Sequence, residues 1–232
     1  QMMFLILSIS LSFILAYLLG SIPTAYILGK TLKQIDIREF GSGNVGATNA
    51  LRVLGTKVGL IVLVIDILKG VLAVVIARYL LNSQWLIVLV GLVAIFGHIY
   101  TCFLGFKGGK GVATAAGVCL SLIPQNLIFA LVIFAIVLAY TKYVSLSSII
   151  AAIFLAFIQG FELLITVLYS SNNDYSNSGK DITNLIFVIV IVAFVLIKHI
   201  PNIKRLIHGN ENKISFKKKD KQNNIQTKGG NS

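Results

Sequence analysis

Charge is scarce in this sequence. Of its 232 residues only 12% are Asp, Glu, Lys or Arg, about half of what a soluble domain carries. Apolar stretches occupy most of the length, so no second soluble domain fits beside them. Cys102 and Cys119 stand in or beside apolar runs with no framework spacing, which excludes a disulfide-stapled fold. The first run, Met3–Leu19, lacks the basic flank of a secretion signal. Motif-bearing sequence follows it, so it reads as a membrane span.

What is abundant is hydrocarbon. Hydrophobic residues make up 56% of the chain and the mean hydropathy is +0.88, which points to an integral membrane protein. Apolar runs cover Met3–Leu19, Val58–Leu81, Trp85–Leu104, Val112–Tyr140, Val144–Tyr169 and Ile182–Ile200. About 20 residues cross a bilayer, so Val112–Tyr140 could be one helix, or two short ones turning at "IPQN" around Pro124.

The basic residues decide between these. Two helices give about seven spans, with the N-terminus outside and the C-terminus cytosolic. Lys30, Lys33, Arg38, Arg52, Lys57, Lys107, Lys110, Lys142 and the basic C-terminal segment then share the cytosolic face. Only Arg78 and Lys180 remain outside, beside the polar loop "SSNNDYSNSGKD". A single helix would send Lys142 and the basic tail outward, against the positive-inside bias. The expected fold is therefore all-α and polytopic, with some helices short. Val112–Ile123 would reach only about 18 Å, against a hydrocarbon core of about 30 Å. Either the bilayer thins there, or the preceding loop dips beneath the surface to line a cavity.

Much of the formal charge of +12, a net +5, sits in the tail "KISFKKKDKQNNIQTKGGNS". That tail lacks apolar periodicity and reads as a solvated or disordered segment able to touch anionic headgroups, not as a nucleic-acid site. Residues 1–209 are expected to form one membrane-embedded domain and 210–232 a basic tail. The Lys217–Lys219 run is a solvated charge cluster. The sequence sets no oligomeric state and is compatible with a monomer.

Four polar stretches fall on the proposed cytosolic face. "REFGSGNVGATNALRVLG" carries Gly41, Ser42, Gly43, Asn44, Thr48, Asn49 and Arg52. "GHIYTCFLGFKGGKGVAT" carries His98, Lys107, Gly108, Gly109, Lys110 and Gly111. "KYVSLSS" carries Ser145, Ser147 and Ser148 near a helix start, and "KHIPNIKRLIHGNENKIS" carries His199, Asn202, Arg205, His208 and Glu211. The first two have the chemistry of anion sites. Glycines let successive backbone N–H groups point into one concavity. Helix starts expected near Thr56 and Gly111 would add their partial positive charge. Arg52 offers a bidentate fork and Lys110 a point charge. Phosphate is the natural ligand, and several such segments leave room for more than one. The competing reading is that these glycines merely let helices approach, Gly105 and Gly109 forming a G-x-x-x-G.

Other chemistries lack their residues. The G-x-G-x-x-G at Gly41, Gly43 and Gly46 has no preceding strand, so it is no dinucleotide fingerprint. "GFKGGKG" is not a Walker A loop, because Leu104 and Gly111 stand where Gly and Ser/Thr belong. His199 and His208 lack partner spacing for zinc and there is no Cys pair, so no metal or organic cofactor is expected. His98 and His199 each also have a plain reading as packing or interfacial residues. Asp66 and Lys69 in "VIDILKG" are costly in a span; their i, i+3 spacing favours a structural ion pair. Glu162 is solitary in an apolar run.

At this point the sequence becomes recognisable. "GSIPTAYILGK", "GSGNVGATNALRVLG", "GHIYTCFLGFKGGKGVATAAG" and "HIPNIKRLIHGNE", in this order from Gly20 to Glu211, resemble the bacterial acyl-phosphate:glycerol-3-phosphate acyltransferases, the PlsY family. The resemblance implies a multi-pass enzyme of the bacterial plasma membrane with its active site on the cytosolic face. It would move an acyl group from acyl phosphate to the 1-hydroxyl of glycerol 3-phosphate, giving lysophosphatidate and phosphate. By position, Ser42 and Arg52 match the essential Ser and Arg of the family's first motif. Gly108, Gly109, Lys110 and Gly111 match its phosphate-binding second motif. His199 and Asn202 match polar residues near the glycerol phosphate, Glu211 a supporting Glu, and Ser147 with Ser148 a phosphate-contacting stretch.

Residue chemistry agrees with that expectation. The H-x-x-x-x-D of another acyltransferase class is absent, since Phe103, Lys204 and Lys213 stand five residues after the three histidines. No Ser–His–acid triad appears. Direct attack by the substrate hydroxyl on an already activated acyl phosphate is expected, with positioning and charge stabilisation supplying the acceleration. A substrate phosphate or His199 would accept the proton, and Ser42 would orient the acyl phosphate. The rival class, a phosphate-ester transporter or channel, would call for internal repeats and mid-membrane polarity. A non-catalytic scaffold would leave Ser42 and Arg52 replaceable.

Overall fold

The computed structural model describes residues 2–169 and 175–214. The readings that fall on 170–174 and 215–232, the Lys217–Lys219 run among them, lie outside the described residues. Nine helices and no strand are present among those described: α1 Met2–Ser21, α2 Thr24–Lys33, α3 Ala47–Leu54, α4 Thr56–Leu80, α5 Gln84–Ile99, α6 Val112–Leu122, α7 Pro124–Thr141, α8 Val144–Tyr169 and α9 Tyr175–Ile207.

Six of these have the length and hydropathy to cross a membrane: α1, α4, α5 with the turn that follows it, α7, α8 and the Lys180–Ile207 part of α9. The long run Val112–Tyr140 is indeed two helices. Ile123 leaves the helical path of α6 at φ −139°, ψ 58°, and Pro124 opens α7 at a first-turn position, where its missing N–H costs nothing. With 11 residues, α6 is about 16 Å long, well short of a hydrocarbon core of about 30 Å.

The segment between the first two long spans is less of a loop than its glycines suggest. It holds two short amphipathic helices, α2 and α3, and a 3-10 turn at Ile37–Glu39. The helix following the first glycine loop is α3, not α4 as the sequence suggested. Gly46 is extended and its carbonyl accepts from Asn49 and Ala50; Gly55, at φ +99°, then ends α3 one residue before α4 begins. Thr48, Asn49 and Arg52 are therefore helical side chains.

Helices in lipid gain nothing from hiding apolar surface from one another, so contact depends on close van der Waals approach. Glycines supply it. Cβ atoms on Gly20 and Gly97 would meet the carbonyl oxygens of Ala94 and Tyr17 at 2.0 and 2.5 Å, which presses α1 onto α5. Gly70 and Gly117 do the same between α4 and α6, against Thr114 and Ile67. Around these contacts lies the bundle core, with Val74, Val88, Val118 and Phe187 fully buried. A second, smaller core of Ala25, Ile37, Val45, Ala50, Leu54, Val62 and Leu104 clamps α2 and α3 onto the start of α4. That core holds both glycine loops to one end of the bundle. Toward the opposite end Glu162 is not solitary: Asn126 Nδ2 and Gln159 Nε2 donate to its Oε2 at 2.6 and 3.0 Å.

Candidate active site

The first loop is shaped from inside by one side chain. Asn49, buried on α3, accepts from the Ser42 backbone N–H at 2.8 Å. Its Nδ2 donates to the carbonyls of Ile37 and Phe40 at 3.2 and 3.0 Å. Gly41 at φ +64° fits because a Cβ there would lie 2.3 Å from the Asn49 carbonyl oxygen. Ser42 is left exposed at the loop tip. Asp36 and Arg38 brace the preceding turn through a bidentate pair, Nη2–Oδ2 2.7 Å, and Arg38 holds the Asp36 carboxyl down at about 2.

The second loop lies on the end of α5. Gly108 and Gly109 donate their N–H groups to the carbonyls of Ile99 and His98, each at 3.0 Å. The Gly109 Cα rests on the His98 imidazole, where a Cβ would come within 2.1 Å of Nε2. Gly105 has open space around it, so the G-x-x-x-G pair is a loop device and not a helix-packing stripe. Gly111, also at positive φ, caps α6.

Beside these loops, the end of α9 brings a hydrogen-bonded chain. Lys110 Nζ donates to Asn202 Oδ1 at 2.6 Å, and Asn202 Nδ2 donates to Glu211 Oε1 at 2.6 Å. Ser145 Oγ and Arg205 Nε also donate to the Glu211 carboxylate, at 2.8 and 2.7 Å. Burial raises the Glu211 pKa, but the hydrogen bonds from Asn202, Arg205 and Ser145 outweigh it, so the carboxyl stays ionised below its ordinary range. Arg52 reaches across to the Asn212 carbonyl with Nη2 at 3.1 Å. Its Nε is buried and has no partner among the described residues. Burial lowers the Arg52 pKa, yet arginine remains charged at any working pH. His199 donates from Nδ1 to the Val195 carbonyl at 2.7 Å. A carbonyl can only accept, so the neutral ring carries its lone pair on Nε2.

These groups face one cavity of about 580 Å³, a size suited to a substrate. Its polar part is lined by Ser42, Asn44, Thr48, Arg52, Lys110, Lys198, His199, Asn202 and Arg205. Its apolar part runs between Leu60, Leu63 and Ile67 of α4 and Leu131, Phe134 and Leu138 of α7. A cationic rim thus continues into a hydrocarbon groove within one space. Among the described residues no three His, Cys, Asp or Glu converge as metal ligands.

Residues 10–209 match the family described as "Glycerol-3-phosphate acyltransferase". The chain belongs to the glycerol-3-phosphate acyltransferase family. It is 41% identical over 230 residues to a glycerol-3-phosphate acyltransferase of Chlorobaculum tepidum, covering 89% of this chain and 97% of that one. It is 46% identical over 204 residues to glycerol-3-phosphate acyltransferase 2 of Bacillus anthracis, covering 88% and 98%. Among solved structures it resembles PlsY, an integral membrane glycerol 3-phosphate acyltransferase, in its glycerol 3-phosphate form. That likeness has TM-score 0.76 and 38% identity, covering 90% of this chain and 96% of that one. The lysophosphatidic acid form of PlsY matches with TM-score 0.73 and 37% identity, at the same coverage.

In this acyltransferase the sequence-picked residues Ser42, Asn44, Thr48, Asn49, Arg52, Lys110, Gly111, Ser148, His199, Asn202 and Glu211 all border the cavity. Gly41, Gly43, Gly108 and Gly109 stand behind it and shape the backbone. Ser147 is the exception. Fully buried, its hydroxyl donates to the Tyr143 carbonyl at 2.8 Å, away from the cavity lining. The helical period explains this: Ser145 and Ser148, three apart, share the face that Ser147 does not. Sequence reasoning also missed Lys198, whose Nζ lies 4.2 Å from the Tyr100 ring centroid, and Ile214 of the segment first read as tail. Five residues of that segment, 210–214, pack onto the domain, and Ile214 N–H donates to the Lys142 carbonyl at 2.9 Å.

The acyltransferase's Lys110 gives a pH test. Burial lowers it from 10.5 to about 8; Glu211 opposes the shift, and Arg205 and Arg52 add to it. A lysine with a lowered pKa is charged below that value and neutral above it. A phosphate monoester, with its second pKa near ~6, is already a dianion there. If Lys110 contacts the phosphate, affinity is expected to be greatest between about pH 6 and pH 8 and to weaken as pH rises through 8, by up to about tenfold per pH unit. Lys110→Met should bind weakly at all pH values with no break near 8, as measured by titration calorimetry with glycerol phosphate.

Proposed function

We propose that the protein acylates the 1-hydroxyl of glycerol 3-phosphate with acyl phosphate as donor. The observation that carries this is the continuity of the cationic rim with the apolar groove. A lipid-tailed anhydride and a small phosphate ester are the pair such a cavity fits. The tail lies between α4 and α7. Arg52 and Lys110 hold phosphate oxygens, the glycine loops set the backbone that carries them, and Ser42 orients the acyl phosphate.

The hydroxyl oxygen attacks the acyl carbonyl carbon and forms the ester bond. The carbonyl carbon–phosphate oxygen bond breaks, and inorganic phosphate leaves with its electron pair. The hydroxyl proton goes to His199 Nε2 or directly to a phosphate oxygen. Since the donor is already activated, the site's work is alignment and stabilisation of negative charge. Residues 1–209 act as one membrane domain of seven spans, α6 being the short one. The N-terminus lies outside and the cavity opens to the cytosol at the bacterial plasma membrane, which the positive-inside distribution supports.

Purified protein given palmitoyl phosphate and labelled glycerol 3-phosphate should release lysophosphatidate and inorganic phosphate in equal amounts. A protein that forms no lipid product from these, or that uses only a thioester donor, overturns the proposal.

A further inference from the structure

At the floor of the cavity, where Asp66 and His98 are part of the lining, sits a cluster of charge that the reaction scheme leaves unused. Asp66 and Lys69 of α4 pair at 2.9 Å with side chains 2% and 5% exposed. Lys69 Nζ also donates to the Ile22 carbonyl, in the turn between α1 and α2, at 3.1 Å. Thr24, the first residue of α2, donates to Asp66 Oδ1 at 3.2 Å. His98 of α5 places Nδ1 3.9 Å from the same carboxylate oxygen. That nitrogen shares a hydrogen bond of 3.2 Å with the hydroxyl of Thr114 in α6, a residue with no exposed surface.

The members of this cluster are not scattered. Ile22 and Thr24 anchor α2, whose far end is tied to α3 by Lys33 Nζ donating to the Val53 carbonyl at 2.9 Å; α2 and α3 flank the first glycine loop. His98 and Thr114 lie on either side of the second loop. His98 supports Gly109 with its ring and accepts its N–H, and Thr114 sits in the first turn of the helix that loop caps. Charges at this depth are expensive, and well-packed apolar residues of similar volume often stabilise a fold as well or better. An ion pair kept here needs a reason other than holding α4 in place.

Resting on the reaction proposed above, we propose that Thr24, Asp66, Lys69, His98 and Thr114 are positioning residues that fix the two phosphate-binding loops relative to each other. Each loop makes its own anion contacts. What the cluster sets is the register between them, and so the placement of the hydroxyl against the acyl carbon. A misplacement of about 1 Å costs roughly 10²-fold in rate.

Two isosteric variants test this, measured for thermal unfolding in detergent and for steady-state kinetics with both substrates. In Asp66→Asn/Lys69→Met both charges are removed together, so no unpaired charge is left in the core. Thr114→Val keeps the packing and loses the hydroxyl, whereas Thr114→Ser restores it. The expected result is a kcat lowered by about tenfold or more in both loss variants. Each KM stays within about threefold, unfolding temperatures stay within a few degrees of the parent, and kcat returns in Thr114→Ser. Retained kcat, a loss that only follows the fraction unfolded, or a raised KM for one substrate at unchanged kcat would each overturn the proposal. If the parent protein itself makes no lysophosphatidate, it is the reaction scheme that fails, and that measurement comes first.

Discussion

Arg52→Lys is expected to lower kcat/KM by about 10²–10³-fold while leaving the unfolding temperature nearly unchanged. The guanidinium has two jobs that an ammonium cannot share. Nη2 is spent on the Asn212 carbonyl, and the buried Nε–H points from the fork with no partner among the described residues. A buried donor without a partner is rare and costly. Here it borders the cavity where phosphate is proposed to bind, and an anionic oxygen would satisfy it. Lysine could keep the charge or the contact to Asn212, but not both in one plane. The change is confined to a half-buried side chain at the cavity edge, so the bundle core has no cause to loosen. A variant with near-parental turnover would remove Arg52 from the phosphate site.

The second large effect is expected at Gly108. A Cβ there would lie 2.0 Å from the His98 carbonyl oxygen and 2.9 Å from that of Ile99. These are backbone atoms at the end of a packed helix, and they also accept the N–H groups of Gly109 and Gly108. Alanine can be accommodated only by lifting the loop, which breaks both hydrogen bonds and carries Lys110 away from Asn202. Gly108→Ala should raise the KM of at least one phosphate substrate by roughly tenfold or more, with a loss of a few degrees in unfolding temperature. Gly105→Ala makes the control. Gly105 has φ +61° but nothing within 4 Å, so alanine there costs about 1–2 kcal/mol of backbone strain and little activity. Equal damage from the two substitutions would mean that the loop's seat on α5 is not what matters.

The spans were legible because a bilayer imposes one strong rule on composition and length. Even the break at Pro124 followed once positive charge was assigned to one face. Helices α2 and α3, of 10 and 8 residues, were not. They are too short for the length rule and carry no long apolar run, and neighbouring glycines imitate a loop. At the site, side chains with obvious anion chemistry could be picked out from the sequence, and Glu211 as a support, whereas the roles of the other orienting groups could not. Asn49 reads like one more polar residue in a glycine motif, but all its hydrogen bonds are spent on the loop's own backbone. Ser145 and Ser147 differ only in helical phase, which fixes which of them faces Glu211. The Asn212 carbonyl that holds Arg52 belongs to the backbone, where no side-chain pattern could point to it. Asp66 and Lys69 were visible as a pair, but Thr24, His98 and Thr114 become their neighbours only when four helices pack.

The contact between Arg52 and Asn212 joins residues 160 positions apart, and that separation sets an order of assembly. Translated at ~5–20 residues per second, the ribosome delivers Asn212 roughly 8–32 s after Arg52. By then the spans between them have been made. The first glycine loop must therefore wait, inserted but unfinished, until α9 has emerged and residues 211–214 have folded back over the cavity. A nascent chain stopped before Glu211 would hold all nine described helices and still lack both the carboxylate that braces Asn202 and Arg205 and the carbonyl that anchors Arg52.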